Sequence, residues 1–224
     1  MKSNKKMKIT MAAAMAVAFT VGTSNAASVS TSASAPTVDG ADIAQLVSTG
    51  EDWGSTAMWG DRPARGQTFT TGNAAGGYTL NSITYQIGGE RLDNRTYGLR
   101  VGTISGSDIT VFASESTGST GVDFFVDDYA TWAFDTPVSL AASTVYGIDV
   151  IISAGSGHTH HRNSGNPYAD GTAYNSGNGG VADATISTQN FDQVFHLDIA
   201  AVPEPSTTAL LGLGGIALIL RRRK

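Results

Sequence analysis

Leu80-Asn81-Ser82-Ile83-Thr84-Tyr85-Gln86-Ile87 decides the fold. Ile83, Tyr85 and Ile87 recur at every second position, the period of a strand with one buried face. Gly88-Gly89 ends the run, and Tyr97, Leu99 and Val101 then alternate against Gly98 and Arg100. Upstream, Thr68-Phe69-Thr70 leads into the turn cluster Asn73-Ala74-Ala75-Gly76-Gly77, and Ile43 to Val47 forms a shorter strand. Downstream, Ile109 and Val111 flank Thr110. Phe124 and Val126, then Ala130, Trp132 and Phe134, form two runs split by Asp127-Asp128. Val145 to Ile152 is the most apolar run; Ile148, Val150 and Ile152 share one face, and Asp149 takes the other. Phe195, Leu197 and Ile199 close the series, with His196 and Asp198 facing out.

Between residues 38 and 202 no stretch holds a helical period over ten residues, and no internal repeat is found. Short strands about ten residues apart, separated by Gly, Asn, Asp and Ser, predict an all-β domain. The expected architecture is an antiparallel β-sandwich of jelly-roll or Greek-key topology over 38–202. It is flanked by an N-terminal signal helix and a C-terminal hydrophobic helix.

The two ends differ from this body. Met1 to Lys8 carries Lys2, Lys5, Lys6 and Lys8 and no acid; Ile9 to Gly22 is apolar; Ser24-Asn25-Ala26 follows with small side chains. This is the layout of a secretory signal peptide over 1–26, with cleavage expected between Ala26 and Ala27 by signal peptidase after Sec export. Ala27 to Thr37, rich in Ser, Ala and Thr, is expected to be a flexible linker. At the other end stand Pro203-Glu204-Pro205, an uncharged run from Thr207 to Leu220, and Arg221-Arg222-Arg223-Lys224. As a helix the run is roughly 21 Å long, shorter than the roughly 30 Å hydrocarbon core. Snorkelling arginines and local thinning allow a transient inner-membrane stage, with the basic tail cytoplasmic.

Between the two labels remain six arginines, no lysine and 18 acids, a net charge of about −12. So acidic a body argues against nucleic acid or an anionic membrane as partner. The chain has no cysteine, which excludes thiol catalysis, zinc-thiolate sites and disulfide staples. About 175 residues suffice for one self-supporting core.

Residues 203–224 resemble the PEP-CTERM sorting signal: Pro203, Glu204 and Pro205, then the apolar segment, then Arg221, Arg222 and Arg223. The resemblance implies an exosortase as partner, cleavage near the Pro-Glu-Pro, and a Gram-negative bacterium that makes exopolysaccharide. Gly66-Gln67-Thr68-Phe69-Thr70 through Tyr78-Thr79-Leu80-Asn81-Ser82-Ile83 is similar to the opening of the choice-of-anchor domains. Thr144 to Ile148, Asn166-Pro167-Tyr168, Gly171 to Tyr174 and Asp192 to Leu197 agree with it. That resemblance implies an extracellular β-sandwich and brings no catalytic residue.

Candidate chemistry is sparse. Gly155 to Gly180 reads as a long irregular loop holding His158-Thr159-His160-His161. His158 and His160 on one side of an extended segment suit a metal, with Asp149 or Asp170 as helpers, or else form a solvated loop tip. Asp127-Asp128 near Asp123 suit Ca²⁺, or are solvated edge charges. Trp53, Trp59, Tyr168 and Tyr174 are candidate sugar-stacking platforms, although Trp53 and Trp59 also suit the end of a β-core. Three glutamates, Glu51, Glu90 and Glu115, offer carboxylates for glycoside hydrolysis but sit in no catalytic motif.

The expected function is that of an exported cell-surface or matrix protein with a non-catalytic structural or adhesive domain associated with exopolysaccharide. It needs no cofactor. The alternatives are a carbohydrate-binding module and a polysaccharide-degrading enzyme.

Overall fold

A computed structural model describes residues 27–53, 64–89, 95–154, 159–176 and 183–204. Among these residues there are fourteen β-strands and no helix. In chain order they are β1 (Ser28–Ser32), β2 (Ile43–Gln45), β3 (Glu51–Trp53), β4 (Ala64–Thr70), β5 (Tyr78–Gln86), β6 (Arg95–Ser105) and β7 (Asp108–Thr120). Then follow β8 (Tyr129–Leu140), β9 (Val145–Ala154), β10 (His160–Asn163), β11 (Ala173–Ser176), β12 (Ala184–Thr188), β13 (Asp192–Gln193) and β14 (Phe195–Ala201). The two terminal segments expected to be helical lie outside the described residues, apart from Pro203 and Glu204.

All strand pairs are antiparallel. One sheet has the order β1-β8-β5-β14-β2; a small sheet has the order β13-β10-β3; the remaining six strands close a ring, β11-β12-β7-β6-β9-β4. The expected all-β antiparallel class is therefore found, but one layer is a closed barrel rather than an open sheet. Closure removes strand edges that an open sheet exposes.

The main core lies between the five-stranded sheet and one side of the ring. Leu80, Ile83, Tyr85, Trp132, Phe195 and Leu197 meet Phe69, Tyr97, Leu99, Val101, Ile148 and Val150 in one buried cluster. The alternating residues quoted above thus point where period two places them. Leu80 is three positions before Ile83, yet both are fully buried. The pairing of β5 slips between Leu80 and Ser82, and that of β14 between Asp198 and Ile199, so a bulge restores both to the core face.

Several expectations are corrected. Residues 28–32 are not a spacer: Val29 packs on the core, and β1 pairs with β8 from Ser28↔Ala133 to Ser32↔Tyr129. A short, Ser-rich strand suits a sheet edge. Val126 does not share the core with Phe124; it is 48% exposed in the turn before β8, whereas Phe124 is buried. The stretch 155–180 supplies β10 and β11. His196 does not face solvent, because the turn from Asp39 to Asp42 covers it.

Candidate functional site

β14 runs out of the sheet beside β5, with Ala201 opposite Tyr78. The next residue, Val202, donates its N–H to the Gly77 carbonyl at 3.0 Å. Gly77 needs glycine: its φ is 76°, and its N–H donates to the Ala74 carbonyl at 2.8 Å, closing the turn. Pro203 and Glu204 follow, both exposed. Pro205, Arg221, Arg222 and Arg223 lie outside the described residues, as does Ala26. Ala27 is 2% exposed. Because β1 runs antiparallel to β8, β8 to β5 and β5 to β14, the chain enters β1 from the end of the sheet at which β14 finishes.

His160 and His161 stand in β10 rather than at a loop tip. His160 is 1% exposed, stacks on Tyr85 with ring centroids 4.5 Å apart, and donates from Nδ1 to Gln193 Oε1 at 2.7 Å. Burial pushes its pKa down to about 4, against the help of Gln193. His161 Nε2 donates to Asp127 Oδ1 at 2.9 Å. His158 lies outside the described residues. Among those described, no group of three or more His, Asp or Glu is arranged to hold a metal ion. Asp127 takes a left-handed turn conformation, φ 71°, and its carboxylate serves His161.

His196 Nε2 donates to Asp42 Oδ2 at 3.0 Å. Burial alone raises the Asp42 pKa, but the N–H groups of Asp39 and Ile199, with His196, outweigh it and hold the carboxyl below its ordinary value. Glu115, one of the glutamates considered for hydrolysis, accepts the N–H groups of Asp135 and Thr136 at 2.8 and 3.3 Å. Glu90 lies outside the described residues, and Glu51 is placed only through its strand pairing with Arg162.

Of the aromatic candidates, Trp59 lies outside the described residues and Trp53 pairs through β3 with His160. Tyr174 is fully buried inside the ring, so it offers no stacking face. Tyr168 is half-buried and packs edge-on to Phe195 at 5.4 Å; burial pushes its phenol up to about 12. Beside it opens a cavity of about 390 Å³, lined also by Asp42, Thr70, Thr71, Tyr78 and Asp170.

The ring interior holds a polar network that the alternation of the sequence does not announce. Arg100 Nε and Nη2 donate to the two oxygens of Asp149 at 2.6 and 2.7 Å, and both side chains are fully buried. Tyr174 O–H donates to Asp149 Oδ2 at 3.0 Å, and Arg100 Nη2 to Ser176 Oγ at 2.9 Å. Burial works against the Arg100 charge, but Asp149 outweighs it and holds the guanidinium pKa above its ordinary value. Burial and then Asp149 drive the Tyr174 phenol well up. Gly66 and Gly147 make room: a Cβ on Gly66 would stand 2.2 Å from Tyr174 Cζ, and one on Gly147 3.0 Å from its oxygen.

A second buried set joins distant segments. Gln67 Nε2 donates to Asp192 Oδ1 at 2.9 Å, Gln193 N–H to Gln67 Oε1 at 3.0 Å, and Tyr168 N–H to Asp192 Oδ2 at 2.8 Å. Thr172 N–H donates to Thr68 Oγ1 at 2.8 Å. The motif segments around 67, 168, 172 and 192 thus meet in one place.

The described residues form an all-β domain whose last strand runs into exposed Pro203 and Glu204. Residues 201–224 match the family model of the PEP-CTERM protein-sorting motif, and that motif implies an exosortase as processing partner. That label implies export to the cell surface or beyond. No curated protein matches the chain. Among solved structures it is similar to a clostridial cysteine protease, Cwp84, after propeptide cleavage, with 8% identity, TM-score 0.42, and coverage of 64% of this chain and 37% of that one. It is also similar to the cysteine protease and lectin-like domains of Cwp84, a surface layer associated protein of Clostridium difficile. There the identity is 9%, the TM-score 0.38, and the coverage 62% of this chain and 32% of that one. The matched region spans about a third of either protein's length.

Proposed function

We propose that this chain is a non-catalytic surface or matrix protein of an exopolysaccharide-producing Gram-negative bacterium. It is exported through Sec and cut by signal peptidase between Ala26 and Ala27. It is held briefly in the inner membrane by 207–220 and processed by an exosortase near Pro203-Glu204-Pro205. The all-β body is read as a sandwich-like, choice-of-anchor type domain acting as a structural or adhesive module in the polysaccharide layer.

The observation that carries this reading is the exit of Pro203 and Glu204, exposed, directly after Val202, whose N–H is still bonded to the Gly77 carbonyl. Replacing Pro203, Glu204 and Pro205 together with alanine is expected to leave an unprocessed, membrane-held form in fractionated cells. Normal maturation of that triple variant would remove the exosortase from the account.

The cavity beside Tyr168 favours a second reading, in which the domain binds sugar itself. Two tyrosines, two threonines and Asp170 around one cavity suit one sugar ring. Tyr168→Ala and Asp170→Ala are each expected to abolish retention on the producer's own exopolysaccharide while the fold survives. Retention equal to the unmodified protein in both variants would leave only the structural role.

A further inference from the structure

We infer that the turn at Gly76-Gly77 is a clasp on the base of the sorting motif, and that processing requires the end of β14 to peel away from it. The inference rests on the exosortase reading above. The Gly77 carbonyl that accepts Val202 N–H is fixed by the turn bond to Ala74. A Cβ on Gly76 would stand 2.1 Å from the Val202 carbonyl oxygen and 3.3 Å from the carbonyl carbon of Pro203. The strand end therefore lies directly on the turn, at a spacing only glycine permits. Behind it, Ala201 and Ala200 pair with Tyr78 and Thr79, and Asp42 Oδ1 accepts the Ile199 N–H at 3.1 Å.

Little chain is left beyond the clasp. From Val202 to the start of the apolar run at Thr207 the backbone spans at most about 18 Å. A peptidase-like site holds its substrate extended, through main-chain hydrogen bonds on both sides of the bond it cuts. On the domain side those main-chain groups belong to residues 200–202, which are already bonded to β5 and the turn. One N–H cannot serve both partners. The substrate-competent form is therefore the fraction in which the strand end has opened, and the apparent affinity falls by that fraction. Gly76, Gly77 and Val202 are positioning residues in this scheme, not catalytic ones.

The test is pulse-chase conversion of the full chain to its processed form in the producing cells. Gly76→Ala, which drives the Val202 carbonyl off the turn, is expected to speed conversion by about two- to tenfold, the factor that corresponds to one lost net hydrogen bond. Inserting Gly-Ser-Gly-Ser between Val202 and Pro203 leaves the contacts of the body up to Val202 in place, moves Pro203 off the turn, and adds about 13 Å of reach. It is expected to speed conversion similarly, with unchanged protease resistance of the exported product. Should Gly76→Ala unfold the domain, the insertion decides alone. An insertion variant processed at the unmodified rate or slower overturns the clasp. The alanine triple variant in the same assay separates the two ideas, because its normal conversion would count against the exosortase reading and not against the clasp.

Discussion

Between the five-stranded sheet and the ring, Trp132 meets Tyr97, Phe124 and Tyr85 edge-on, with ring centroids 5.3, 5.6 and 6.2 Å apart. On the other side of β6 and β9, inside the ring, the filling is instead Arg100, Asp149, Tyr174 and Ser176, flanked by Ile109 and Ile186. The same two strands serve both interiors through alternate residues. Leu99 and Val101 face the aromatic side while Arg100 faces the ionic one; Ile148 and Val150 do the same around Asp149. The aromatic interior is held by area removed from water and by close packing. The ionic interior is held by geometry, because two desolvated charges repay their burial only when every partner is in place.

That difference can be tested by breaking each side. Asp149→Ala leaves a buried guanidinium without its carboxylate, and we expect it to destabilise the domain by about 3–5 kcal/mol in chemical denaturation. Pairing Arg100→Met with Asp149→Leu removes both charges at similar volume, and the double variant should recover most of that loss. A double variant no more stable than Asp149→Ala would mean that packing, not charge, holds the ring. Trp132→Ala is expected to destabilise by about 3–5 kcal/mol as well, through a cavity. No second substitution in the ring should rescue it, and rescue by Arg100→Met with Asp149→Leu would show that the two interiors are coupled.

A smaller effect is expected where a titratable ring lies against the aromatic side. His160 is held neutral, with its pKa lowered from 6.5 to about 4 by burial. Between those values the unfolded chain binds a proton that the folded chain does not. Stability should therefore fall as pH drops from about 6.5 towards 4, by up to roughly 3 kcal/mol, and stay unaffected by this group at higher pH. His160→Phe keeps a ring over Tyr85 and should flatten that part of the stability–pH curve. An unchanged slope would place the titrating group elsewhere.

The aromatic interior was legible in the sequence because period two marks it: Ile83, Tyr85 and Ile87, then Tyr97, Leu99 and Val101, are all fully buried. The ionic interior was not. Arg100 and Asp149 stand at alternate positions of half-buried strands, where a charged residue reads as solvent-facing. Only β11 and β12, arriving late in the chain to close the ring, turn that face inward. The signal available was a lone acid within Val145 to Ile152, an otherwise apolar run. The His160-His161 pair was hidden differently. Its strand partners are Trp53 and Asp52, more than a hundred residues upstream, and no local pattern announces so distant a pairing. The sorting motif was legible because a linear label is read in extended form, whereas Asn73 to Gly77 was legible as a turn but not as the partner of the strand end at Val202.

The most direct test of the account is the intact mass of the protein recovered from outside the producing cells. The account predicts a polypeptide that begins near Ala27 and ends near Pro203, with or without an added group. A chain recovered there still ending at Lys224 would contradict it.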